Sequence, residues 1–209
     1  MSLNRQINKA STMKIARNDY SITTRSMQAM ESMLESDVGL MLDFDKTVTA
    51  FTTQPDSLLN HAKEGNWRQY TPDLLVMYGS ESKFGETKPE ARTHSDKFKQ
   101  KYALHQRIVR EQTGTELELF TEPDVHPHRL IQLRQLKAFH RFEAIPTLNQ
   151  QIIQFIESRG GVAKLEELES ICEQHNAWVS YPMVMLAHQV IRSVAPNVIT
   201  RSTVVEVAA

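Results

Sequence analysis

Along this chain the spacing of apolar residues switches repeatedly between about 3.6 and 2, the signature of a mixed α/β protein. From about Thr24, the recurrence of Met27, Met30, Met33 and Leu34 at three and four predicts a helix with Glu31 and Glu35 on one face. Residues 39–45 and 48–55 read as strands joined by a turn near Lys46, and residues 60–69 as a polar excursion. The sheet resumes at residues 74–78 and 83–89. Residues 95–112 predict a helix carrying Phe98, Tyr102, Leu104 or His105, and Ile108 on its buried side, with Gly114 as its stop. A short strand at 117–120 and a helix at 128–139, built on Leu130, Leu133 and Leu136, follow.

The pattern breaks at residues 143–146. Beyond it, Thr147 is placed to cap a helix with Gln150 completing a capping box, and Gly160-Gly161 to close it. Leu165, Leu168, Ile171 and Cys172 mark a second helix; Met183, Leu186, Ala187 and Val190 mark a third. Residues 198–200 and 204–207 predict a terminal hairpin, so this stretch reads as a winged-helix module. The expected organisation is a flexible basic arm over 1–20, a catalytic α/β domain over 21–145 and a winged-helix domain over 146–209.

With 209 residues the chain is long enough for one full domain and a smaller one. A formal net charge of −1 removes any global basic field, leaving contact with nucleic acid to local patches. The single Cys172 excludes an internal disulfide and a thiolate-rich zinc site. No apolar run has the length of a membrane span and no leader-like segment is visible, so a bacterial cytoplasmic protein is expected. His126-Pro127-His128 reads as a loop with two exposed histidines rather than a metal site.

The candidate chemistry lies in Pro72-Asp73 and Glu86-Thr87-Lys88, the order of a PD-(D/E)xK nuclease site. Phosphodiester hydrolysis needs carboxylates to hold a divalent cation at the phosphate, and a cationic side chain to orient water or stabilise developing charge. With Asp73 at one strand end and Glu86 and Lys88 on one face of the next, all three can converge. An acid-x-Lys triplet alone says little, because one arises by chance roughly once in a chain this long. A second, Glu81-Ser82-Lys83, is present, but Glu81 falls in a polar turn where a solvated charge is the simpler account.

Taken in order, Glu31-Ser32-Met33-Leu34-Glu35, Leu42-Asp43-Phe44-Asp45, Phe51-Thr52-Thr53-Gln54-Pro55, Asp73 and Glu86-Thr87-Lys88, followed by the small helical module, resemble the TnsA-like endonuclease subunits of heteromeric transposases. The resemblance covers roughly residues 25–209. It implies a restriction-endonuclease-like domain that cuts the 5′ strand at each transposon end, using Mg²⁺ or Mn²⁺. It also implies two partners: an integrase-type (TnsB-like) subunit that cuts the 3′ strands, and an AAA+ ATPase (TnsC-like) regulator. Under it, Glu35, Asp73 and Glu86 are metal ligands and Lys88 acts on water or phosphate. Some relatives carry Gln where this chain has Glu86.

On pattern alone Glu35 is equally an exposed helix charge. Gln54 either lines the site or satisfies a turn before Pro55. Lys97, Lys99, Lys101, Arg107 and Arg110 offer a surface for the backbone of double-stranded DNA. Residues 147–209 hold more acids than bases, which favours docking of the regulator over phosphate binding. Two other classes compete: a stand-alone restriction or repair nuclease, and a non-catalytic winged-helix adaptor.

Overall fold

The computed structural model describes residues 17–61, 67–195 and 198–208, and the chain divides into two compact units, Met1–His126 and Pro127–Ala209. Most of the predicted basic arm lies outside the described residues. Its last residues belong to β1 (Arg17–Ser21), which pairs antiparallel with β2 (Ser26–Met30). The helix expected from Thr24 therefore starts later, as α1 (Met33–Asp43). The methionine spacing misled because Met27 and Met33 are exposed while Met30 is buried, so they share no face. Ser32 sets the start, its hydroxyl accepting from Glu35 N at 3.2 Å.

Residues 39–45, expected as a strand, lie largely within α1. Val38, Gly39, Leu40 and Leu42 are all buried, and a helix covered on several sides shows no period by which to tell it from a buried strand. Its end is tied down by Asp43, whose Oδ1 accepts from Ser21 Oγ at 2.7 Å and from the backbone of Ile22 and Thr23.

The central sheet of the first unit is mixed and four-stranded. β3 (Ala50–Thr53), β6 (Leu74–Tyr78), β7 (Glu81–Thr87) and β8 (Glu116–Phe120) lie side by side in that order. The first three are antiparallel; β7 and β8 are parallel, joined through α2 (Asp96–Thr113). Ser95 caps α2, and Gly114, at φ 71°, closes it in the left-handed conformation glycine tolerates. The polar excursion is a separate hairpin, β4 (Leu58–His61) with β5 (Trp67–Tyr70). Phe51, Leu74 and Val76 are buried almost completely, and Tyr70, Phe84, Val109 and Leu117 form one apolar cluster.

The second unit begins at α3 (Pro127–Leu136), earlier than the boundary expected near residue 145. α4 (Pro146–Ser158), β9 (Val162–Lys164), α5 (Leu165–Gln174), α6 (Tyr181–Ala187), β10 (Ile191–Ser193) and β11 (Val204–Val207) follow. Its sheet runs β10-β11-β9, all antiparallel. Ile152, Ile156, Leu168, Cys172, Val184, Met185 and Val205 fill the core.

Two local expectations fail in this unit. Residues 198–200 make no strand: Ile199 donates to and accepts from the Gln135 side chain at 2.9 and 3.1 Å, so β11 pairs with 191–193 instead. The same bonds attach α3 to this unit. Nor does Thr147 cap α4. Pro146 occupies the first turn, where a missing N–H costs nothing, and the Tyr181 hydroxyl accepts from Ile145 N.

Candidate active site

The β6–β7 register, which pairs Leu74 with Gly85, sets Asp73 beside the Glu86 end of β7. Two backbone bonds fix it there, Asp73 N to Gly85 O at 3.0 Å and Gln54 N to Asp73 O at 2.9 Å, and a third, Lys88 N to Phe120 O at 2.9 Å, ties Lys88 to β8. Gly85 permits this closeness, since a Cβ on it would lie 2.9 Å from the Phe120 ring and 3.0 Å from Leu74 Cβ. Glu81, acid of the second triplet, pairs with Tyr78 at the far end of the hairpin and is exposed.

Each of the two site carboxylates has one oxygen held and one left over. Asp73 Oδ2 accepts from Thr87 N at 2.8 Å and Thr87 Oγ1 at 2.9 Å, while no hydrogen bond reaches Oδ1 among the described residues. Glu86 Oε2 accepts from the Tyr70 hydroxyl at 2.7 Å, and its Oε1 lies 3.8 Å from Lys88 Nζ. Burial raises the Glu86 pKa and Asp73 adds to the shift; Tyr70, Lys88 and Lys101 only oppose it.

Glu35 is near but differently employed. It is buried, with its pKa raised by desolvation and then by Asp73. Both its oxygens are engaged at the start of α1, Oε2 by Glu31 N at 2.7 Å and Oε1 by Ser32 Oγ at 2.9 Å. The exposed-charge reading of Glu35 is therefore wrong, and Glu31 precedes the helix rather than sharing its face. Among the described residues no group of three or more His, Cys, Asp or Glu side chains is gathered as a metal cage. What is present is a pair of oxygen donors, Asp73 Oδ1 and Glu86 Oε1, with Glu35 in electrostatic reach of Asp73. Such a pair suits Mg²⁺, which binds through one or two carboxylates and keeps waters or phosphate oxygens for the rest.

Around the pair, α2 supplies His105, stacked on Tyr70 with ring centroids 3.6 Å apart. Burial, and then Lys101 and Lys88, lower its pKa to about 4, so it is neutral near pH 7. The cations proposed for DNA separate by helical position. Lys97 and Lys101 precede His105 by eight and four residues and lie toward the site side, whereas Lys99, Arg107 and Arg110 face outward. Arg107 is engaged with Glu111 at 3.9 Å. Gln54 does not offer itself to DNA: it is buried, at φ 48°, and its Oε1 has no partner.

Tyr70, Thr87 and His105 escape a reading of the sequence. Thr87 is the unspecified middle of the acid-x-Lys triplet, and Tyr70 ends a polar stretch with no motif. His105 alone carried a signal, as a titratable residue on the apolar side of its helix.

No protein-family model matches this chain, and no curated protein matches it.

Proposed function

We propose that this chain is a metal-dependent DNA endonuclease, the 5′-strand-cutting subunit of a transposition machinery. The observation that carries the reading is the meeting of Asp73, Glu86 and Lys88 at one end of the β6–β7 pair, with one oxygen of each carboxylate free of hydrogen bonds among the described residues. The order α1-β3-β6-β7-α2-β8, with only the last strand pair parallel, supports a restriction-endonuclease-like domain. In the second unit, α4-β9-α5-α6-β10-β11 with its three-stranded sheet supports a winged-helix module.

In this reading Asp73 and Glu86 hold a divalent cation, which supplies Lewis-acid stabilisation and a more acidic water. Lys88, one-third exposed beside Glu86, binds a non-bridging phosphate oxygen and stabilises charge as the phosphorane forms. Lys101 and Lys97 guide the backbone toward them. The integrase-type subunit cuts the other strand, and the ATPase regulator docks on the second unit. There the acids Glu167, Glu169 and Glu206 are already matched by Arg159, Arg201 and Arg192.

The test is strand-resolved cleavage of a transposon-end duplex with Mg²⁺, the integrase-type subunit and the regulator. The wild-type chain should nick the 5′ strands and Asp73→Ala should not. Absence of 5′ nicking in the full mixture, or nicking that survives Asp73→Ala, refutes the proposal.

A further inference from the structure

We infer that Tyr70 is a positioning residue: its hydroxyl holds Glu86 so that one oxygen only, Oε1, is offered to the cation. The inference rests on the metal-dependent reading above and adds a residue outside its sequence motif. Tyr70 closes β5 and is buried, and its hydroxyl donates to Glu86 Oε2 at 2.7 Å. The ring has little freedom, stacked on His105 and packed in the cluster with Phe84, Val109 and Leu117. A buried phenol needs an acceptor, and this one has a single direction in which to find it. Held by one oxygen, the Glu86 carboxylate has its orientation set, with Oε1 as the oxygen that carries no hydrogen bond among the described residues.

Thr87 does the same for Asp73, through a hydroxyl and a backbone N–H on Oδ2. Both carboxylates thus present one oxygen each, oriented from outside by neutral donors. Outer partners of this kind typically change metal affinity by about 10- to 100-fold when removed. Tyr70 differs from Thr87 in coming from the β4–β5 hairpin, so that hairpin has a share in the site that its polar sequence conceals.

The experiment is Mn²⁺ binding to the full chain, read by the loss of free-ion EPR signal, without DNA. Tyr70→Phe keeps the ring stack and should weaken binding by about 10- to 100-fold. In a Glu86→Ala background, which removes the acceptor, the same replacement should have no further effect, because the coupling runs through that carboxylate. A second readout needs no Tyr70 variant. The chain labelled with 3-fluorotyrosine should show the Tyr70 ¹⁹F resonance shifting with Mg²⁺, assigned by replacing Tyr20, Tyr78, Tyr102 and Tyr181 singly with Phe.

Equal affinity in wild type and Tyr70→Phe, with binding still abolished by Asp73→Ala, overturns the role of Tyr70 and leaves the nuclease reading standing. A ¹⁹F resonance indifferent to Mg²⁺ does the same. Failure of the wild-type chain to bind Mn²⁺ at all overturns both.

Discussion

The two units treat their acidic residues in opposite ways. In the second, Glu167, Glu169 and Glu206 each meet an arginine at 2.6 to 2.7 Å on the surface, over a core of aliphatic side chains. In the first, Glu35 and Glu86 are buried near Asp73, and among the described residues the cation in ion-pair range of Glu86 is Lys88, at 3.8 Å. Surface pairs add little to stability, whereas crowded, desolvated carboxylates cost it. A ligand of opposite charge would offset that cost, which is why the proposed chemistry is placed in the first unit and not in the second.

The sharpest way to break this contrast is at Lys88. Lys88→Ala should lower 5′-strand nicking by about 10² to 10³, while the partner's 3′ cutting and the melting temperature hold. Unchanged nicking in a strand-resolved assay would remove Lys88 from the chemistry. Leu168→Ala probes the other side. Leu168 is fully buried in the second unit, and the truncation should cost about 2 to 5 kcal/mol in urea denaturation. Mn²⁺ affinity of the folded protein should not change, and a fall would count against placing the whole cation site in the first unit.

Removing a crowded charge should have the reverse sign. Glu86→Gln keeps an acceptor for Tyr70 but no longer repels Asp73, so the metal-free protein should gain about 0.5 to 2 kcal/mol near neutral pH while losing activity. The sign follows from the raised pKa. Below the ordinary carboxylate range Glu86 is protonated in both folded and unfolded chains. As pH climbs from there through the raised value, the folded state holds a proton the unfolded chain has lost, and stability falls. The advantage of Glu86→Gln over wild type should therefore shrink on acidification toward the ordinary carboxylate range. His105 works the other way, since its lowered pKa removes stability as pH falls from the usual histidine value toward about 4. The difference between variant and wild type at each pH separates the two. A gap that widens in acid would contradict the assigned cause.

The smallest effect belongs to the surface pairs. Arg192→Ala, opposite Glu206, should change stability by less than about 1 kcal/mol, and less still in high salt. A larger loss would mean that the second unit depends on its charges more than on its core.

Much of this molecule is written locally. The apolar run of β6, the amphipathic α2 with its Ser95 and Gly114 ends, and the Leu130, Leu133, Leu136 face of α3 are properties of short windows, and they appear where the pattern puts them. So does the juxtaposition of Asp73, Glu86 and Lys88, because antiparallel neighbours joined by a tight turn have their register set by the turn. Elsewhere tertiary packing decided. Residues 39–43 are helix where burial on several sides erased the period that would have shown it, and 198–200 form no strand where the Gln135 side chain claims the Ile199 backbone. The tyrosine brought by a separate hairpin to Glu86 joins residues whose neighbours in sequence carry no sign of the contact, whereas both Glu35 oxygens are occupied locally, by Glu31 and Ser32 at the start of its own helix. The sequence by itself determined which residues have the chemistry to hold a cation and a phosphate. Only the tertiary structure decided which oxygens remain free to do so, because hydrogen-bond partners in a folded core are set by where elements pack and not by spacing along the chain.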